Sequence, residues 1–128
     1  MTIVLVDAAN VVGARPDGWW RDRAGATTRL LVRLATLPGR SLAGRDGTPV
    51  VCTEVVAVVE GQARDVPAPD GVRVVRAPGS GDDAVVAEAS RLAADGVLVV
   101  TADRGLRARL PAGVAVAGPG TLLAALSD

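Results

Sequence analysis

The chain has no histidine, lysine, phenylalanine or tyrosine, and a single cysteine. Without histidine, Ser-His-Asp and Cys-His nucleophilic catalysis and histidine-ligated zinc are excluded. Cys52 cannot form an internal disulfide, and its apolar stretch reads as core rather than as a nucleophile's setting. Without lysine, a phosphotransfer receiver lacks an essential group. Fourteen basic residues balance 14 acidic ones, so net charge gives no argument for a polyanionic partner and any such argument must rest on local clustering. No apolar run approaches the ~20 residues that span a bilayer. The N-terminal apolar run lacks a basic segment before it, unlike a signal peptide. These features predict a soluble, cytoplasmic protein without membrane association. Because every basic residue is arginine and small residues are mostly alanine and glycine, the composition matches a GC-rich coding bias, and an arginine alone carries little functional information.

With 128 residues, the chain is long enough for one domain, 1–128, that buries roughly 70% of its unfolded surface. Aliphatic residues must supply nearly all of that core. Thr2-Ile3-Val4-Leu5-Val6 reads as a central parallel strand, covered on both faces, and it ends in Asp7-Ala8-Ala9-Asn10. An aspartate there belongs where the strand leaves the sheet, and ligands of open α/β sheets bind at the carboxyl ends of the strands. The segment from Val11 to Arg23 has no regular period and carries Pro16 and two glycines, which predicts a loop. Ala26, Leu30, Leu34 and Leu37 give helical spacing from about Ala24, closed by Pro38-Gly39. Ser41 to Thr48 is a polar connection. Val50 to Val59 is a strand ending in Glu60-Gly61, and Val72 to Arg76 is a shorter strand nearer an edge. Asp82 to Asp95 reads as a helix with Val85, Ala89 and Leu92 inward, and Gly96 ends it. Val97 to Thr101 is a second fully apolar strand, followed by Ala102-Asp103-Arg104, a short helix, a last strand over Val114 to Ala117, and a terminal helix. The alternation predicts a three-layer α/β sandwich around a mostly parallel five-stranded sheet.

Acidic residues fall at the ends of these elements: Asp7, Glu60, the pair Asp82-Asp83, and Asp103. If the strands are parallel, all lie at one edge of the sheet. Carboxylates gathered there repel one another unless a cation sits between them. Hard oxygen donors suit Mg2+ or Mn2+, and the chemistry implied is metal-assisted attack of water on a phosphodiester. Each acid also has a local reading. Asp103 can cap its helix, Ser80 and Asp83 fit a Ser-x-x-Asp capping box, Asn10 can hold a turn, and Glu60 can be a plain strand exit. Capping does not account for both Asp82 and Asp83, and an apolar strand has no need of Asp7. Arg15, Arg21 and Arg23 flank Trp19-Trp20, where guanidinium groups can contact phosphates and an indole can stack on an unpaired base. The same pair can instead cover a core edge. Arg104 can reach a phosphate from its helix start, whereas Arg29, Arg33 and Arg40 read as solvated surface.

Three segments, Ile3 to Val11, Gly81-Asp82-Asp83 and Val99 to Arg104, resemble the NYN domains of the PIN-like nuclease superfamily in order and spacing. The first carries Asp-Ala-Ala-Asn in place of the more familiar Asp-Gly-Xaa-Asn. The resemblance implies a metal-dependent ribonuclease with strand order 3-2-1-4-5, which sets the first and fourth strands side by side. It implies catalytic roles for Asp7, Asp83 and Asp103, metal ligation by Asp7, Asp82, Asp83, Asp103 and Glu60, and site or substrate contacts by Asn10 and Thr101; substrate contacts by Arg104, Arg15, Arg21 and Arg23 are read from the residues themselves, and the Arg15 to Arg23 loop has no motif to carry over. The implied partner is RNA, and both a monomer and a homodimer are compatible with the sequence. The alternative is a PIN-like module that binds RNA or protein without cutting. A Rossmann reading of Gly79-Ser80-Gly81-Asp82-Asp83-Ala84 fails because the aspartates would repel a pyrophosphate and the match follows the third strand. A phosphatase built on Asp-x-Asp fails at Ala8 and Ala9.

Overall fold

A computed structural model describes residues 2–15, 17–44 and 46–127. Pro16, expected in a loop, and Arg45, within the 41–48 connection, lie outside the described residues. The strands are β1 (Thr2–Asp7), β2 (Ser41–Ala43), β3 (Pro49–Val59), β4 (Val72–Arg76), β5 (Val97–Val100) and β6 (Ala115–Ala117). The helices are α1 (Ala8–Gly13), α2 (Arg23–Leu34), α3 (Gly81–Leu92), α4 (Arg104–Arg109) and α5 (Pro119–Leu126). The parallel strands run in the order β4-β3-β1-β5-β6, and β2 pairs antiparallel with the first part of β3. Setting β2 aside, this is the 3-2-1-4-5 order expected. The sheet has six strands where five were expected, because Leu42, inside the polar 41–48 stretch, is buried and draws Ser41–Ala43 onto β3.

Strand β1 sits between β3 and β5, with Val6 opposite Ala57 on one side and Val100 on the other. Its side chains alternate between two cores. Val4 and Val6 join Leu30, Leu31, Leu34 and Leu122 on the face covered by α1, α2 and α5. Ile3 and Leu5 join Val85, Ala89, Leu92 and Leu106 on the face covered by α3 and α4. A strand buried on both faces needs aliphatic residues at every position, which is why β1, the second half of β3 and β5 lack polar alternation. No helix of the described residues is long and apolar enough to cross a membrane.

Three expectations are corrected. The segment after Asp7 is a helix, not a loop: Ala8, Val11 and Val12 are buried at i, i+3 and i+4, and that one-turn stripe holds α1 against the core. A 3-10 turn over Trp19–Arg21 then leads into α2, whose start is capped by Asp22 accepting from the Gly25 N–H at 2.9 Å. Helix α2 ends at Leu34 rather than running to Leu37, and α3 ends at Leu92 with a 3-10 extension to Asp95. Gly96, at φ 82°, adopts the backbone that ends the helix, where a β-carbon would be strained.

Arg33 and Arg40 are not simply solvated. Arg40 donates to the Ala125 carbonyl at 2.8 Å, and Arg33 donates to that of Leu126. These carbonyls lie in the last turn of α5, so two cations tie down its negative end.

Candidate functional site

The β1–α1 junction delivers Asp7 to the carboxyl edge of the sheet, between the exits of β3 and β5. Asp7 pairs with Val58 across the β3 side, and Thr101 directly follows Val100, the partner of Val6. The Thr101 hydroxyl donates to Asp7 Oδ2 at 3.0 Å, a bond between side chains buried to 5% and 0% exposure. The same hydroxyl accepts from the Asp103 N–H at 3.2 Å. Asn10, one turn into α1, accepts from the Ala102 N–H at 2.8 Å through Oδ1. The two chain segments that leave the sheet side by side are therefore laced together by Asp7, Asn10, Thr101 and the 102–103 backbone. Arg107 strengthens the lacing from α4, donating to the Thr101 carbonyl through Nε at 3.1 Å and Nη2 at 2.7 Å.

Burial pushes the Asp7 carboxyl up from 3.8 to about 6. The Thr101 hydroxyl opposes this, as does the Asn10 N–H, which faces the carboxylate without closing a cap hydrogen bond. The charges of Asp82 and then Glu60 add to the rise. Glu60, at the β3 exit, accepts from the Gly81 N–H at the start of α3 through Oε2. A β-carbon on Gly81 would lie 2.7 Å from Glu60 Cδ, so a larger residue there would displace the Glu60 carboxylate.

The remaining expected residues divide. Asp103 caps α4, accepting from the Leu106 N–H at 3.0 Å, while its own N–H faces Thr101. Asp82 faces Asp7 electrostatically, whereas Asp83 turns away into solvent, 72% exposed, and pairs with Arg109 at 2.7 Å. The Ser80 hydroxyl accepts from Asp82 N–H at 3.2 Å, so the reciprocal Ser80–Asp83 capping box is not formed. Adjacent helical residues point about 100° apart, and of the two acids it is Asp82 whose charge acts on Asp7. Arg104 is exposed at the first position of α4. Arg15 pairs with Asp17 at 3.6 Å. Arg21 lies 5.9 Å from the Trp20 ring and Arg23 lies 5.2 Å from the Trp19 ring, with the two indoles edge to face at 6.0 Å. Arg107 and Arg109 escaped the sequence reading because their partners lie on other elements and no local motif marks them; Gly81 stood inside a motif, but its bond to Glu60 depends on where β3 ends in space.

Among the described residues, no group of three or more acids, histidines or cysteines is close enough to form a complete metal cage. Mg2+ is usually held by one or two carboxylates together with waters and substrate phosphates rather than by a full protein cage. Asp7, on which the charges of Asp82 and Glu60 act, offers oxygen donors of the kind such a site uses. Cys52 is far less suited to chemistry: it is buried, and burial pushes its thiol up to about 11.

Fold and edge together define a mostly parallel α/β sandwich with a buried carboxylate at its strand exits. Two crystal structures of Rae1 (YacP) from Bacillus subtilis, one of a point mutant, share this fold with TM-scores of 0.69 and 0.70 at 20% identity. The match covers 98% of this chain in both, and 75% and 74% of those chains. No protein-family profile and no curated protein matches the sequence.

Proposed function

We propose that this chain is a ribonuclease of the NYN type within the PIN-like superfamily, hydrolysing RNA phosphodiester bonds at the edge formed by Asp7, Thr101 and the start of α3, with Mg2+ or Mn2+ as cofactor. The observation that carries this reading is Asp7 itself. A carboxylate 5% exposed, raised to about 6 and facing two further acids, lowers the stability of the fold at neutral pH. No arginine pairs with it among the described residues. Strongly perturbed acids of this kind concentrate at functional sites.

Thr101 fixes the orientation of the Asp7 carboxyl by donating to one of its oxygens. Above its midpoint Asp7 is ionised and can orient an attacking water or accept its proton. Asn10 and Arg107 hold the Thr101–Asp103 turn against β1, which sets the spacing of the edge. A divalent ion held by Asp7 with Asp82 or Glu60 would lower the pKa of bound water and offset phosphate charge. RNA as substrate is supported by the Trp19–Arg23 segment, where Trp20 is 57% exposed and each indole carries a guanidinium.

The test is incubation of the protein with single-stranded and structured RNAs in Mg2+ or Mn2+. Cleavage that is lost in Asp7→Asn and in chelator supports the reading. Intact RNAs with the wild-type protein would contradict it and leave a binding module. Added Mg2+ should also raise the melting temperature of the wild type and leave Asp7→Asn unmoved.

A further inference from the structure

A pocket of about 260 Å3 opens beside the reactive edge, between α1, the Trp19–Arg23 segment, α2 and the β3 exit. Ala8, Val12 and Val59 form an apolar floor, the Trp19 indole forms a wall, and Glu60 lies at the boundary with the Asp7 site. Thr27 also lines it. Thr27 is only 3% exposed.

We propose that this pocket receives one unpaired nucleobase of the RNA substrate. The inference rests on RNA as the substrate class and adds a base-binding subsite to it. The volume lies just below the roughly 300–1,000 Å3 of pockets for larger organic ligands, which suits a single planar heterocycle. A base has apolar faces and a polar rim. The lining matches this with apolar walls, an indole held by Arg23 at 5.2 Å, and a few polar groups: the Thr27 hydroxyl, the Glu60 carboxylate and the Gln62 amide. Ala8 and Ala9 line the pocket and directly follow Asp7, so a base seated here places its own backbone at the carboxylate edge.

The experiment measures binding of short single-stranded RNAs to Asp7→Asn, with an abasic nucleotide walked through each position. One abasic position should weaken binding about 5- to 150-fold, the loss expected of one base–aromatic stack. That penalty should vanish when Trp19→Leu is added. Thr27→Val, which keeps the packing, should weaken binding of the intact RNA and not of the abasic one. In a Trp20→Leu background the remaining Trp19 fluorescence should be quenched by intact RNA only. RNA binding with no abasic position coupled to Trp19 or Thr27 overturns the pocket assignment and leaves the ribonuclease reading standing. Coupling with no cleavage by the wild type overturns the ribonuclease reading alone. Absence of RNA binding overturns the pocket.

Discussion

Replacing Asp7 by asparagine should stabilise this protein, and only above about pH 4 to 5. In the folded state the Asp7 carboxyl titrates at about 6, against 3.8 in its ordinary environment. Below both values the group is protonated whether the chain is folded or not, so it costs nothing. As pH rises, the unfolded chain ionises first, and the folded state loses stability until its own midpoint is passed. At about 1.4 kcal/mol per pH unit, that gap is worth ~3 kcal/mol at pH 7. Asparagine removes the charge and keeps an acceptor for the Thr101 hydroxyl. Its new amide donors lie in a buried site, which offsets ~1 kcal/mol. A net gain of ~2 kcal/mol raises the melting temperature by roughly 6–10 °C in a domain of this size. Thermal or urea denaturation of both proteins from pH 4 to pH 8 reads this directly. The two curves should cross between about pH 4 and pH 5, with the variant ~1 kcal/mol less stable at the acid limit, and diverge through pH 6. A difference of equal size at both ends, or a variant less stable at pH 7.5, would refute the burial argument.

Asp82→Asn should impair RNA cleavage by tenfold or more while Asp83→Asn changes it little, because only Asp82 faces Asp7 and Asp83 is spent on an exposed pair with Arg109. Single-turnover rates decide between them, and the reverse ranking would assign the helix acid to Asp83. Asn10→Ala should cost ~1 kcal/mol and speed hydrogen exchange at the Ala102 amide, whose acceptor it removes. Gly81→Ala should displace Glu60 and destabilise by ~1–2 kcal/mol in urea, whereas Gly120→Ala, with open space around it inside α5, should stabilise by ~0.5–1 kcal/mol.

The sheet was legible because burial on both faces writes itself as unbroken aliphatic runs in β1, β3 and β5. Helix α3 was legible through Val85, Ala89 and Leu92, all buried as spaced. Asp7, Thr101 and Asp103 could be brought to one edge by topology alone, since β1 and β5 are neighbours. Shorter elements were not legible. Helix α1 has six residues, too few for a period to stand out from Gly13 and the irregular stretch behind it. Strand β2 is held by one buried side chain, Leu42, and by its pairing with β3. The choice between Asp82 and Asp83 depends on the rotation of α3 at its first turn, which a bond from Glu60 to the Gly81 N–H helps to set. The roles of Arg33 and Arg40 depend on where α5 ends in space, some 85 to 93 residues away along the chain.

On the proposed function, the Asp7 carboxylate is retained for chemistry at the expense of stability. The most direct test is the RNA cleavage rate of Asp7→Asn on a preparation whose melting temperature is measured alongside. The expected rate is at least ~100-fold below wild type in a protein that melts higher. Wild-type cleavage by the variant, or inactivity accompanied by a lower melting temperature, would contradict it.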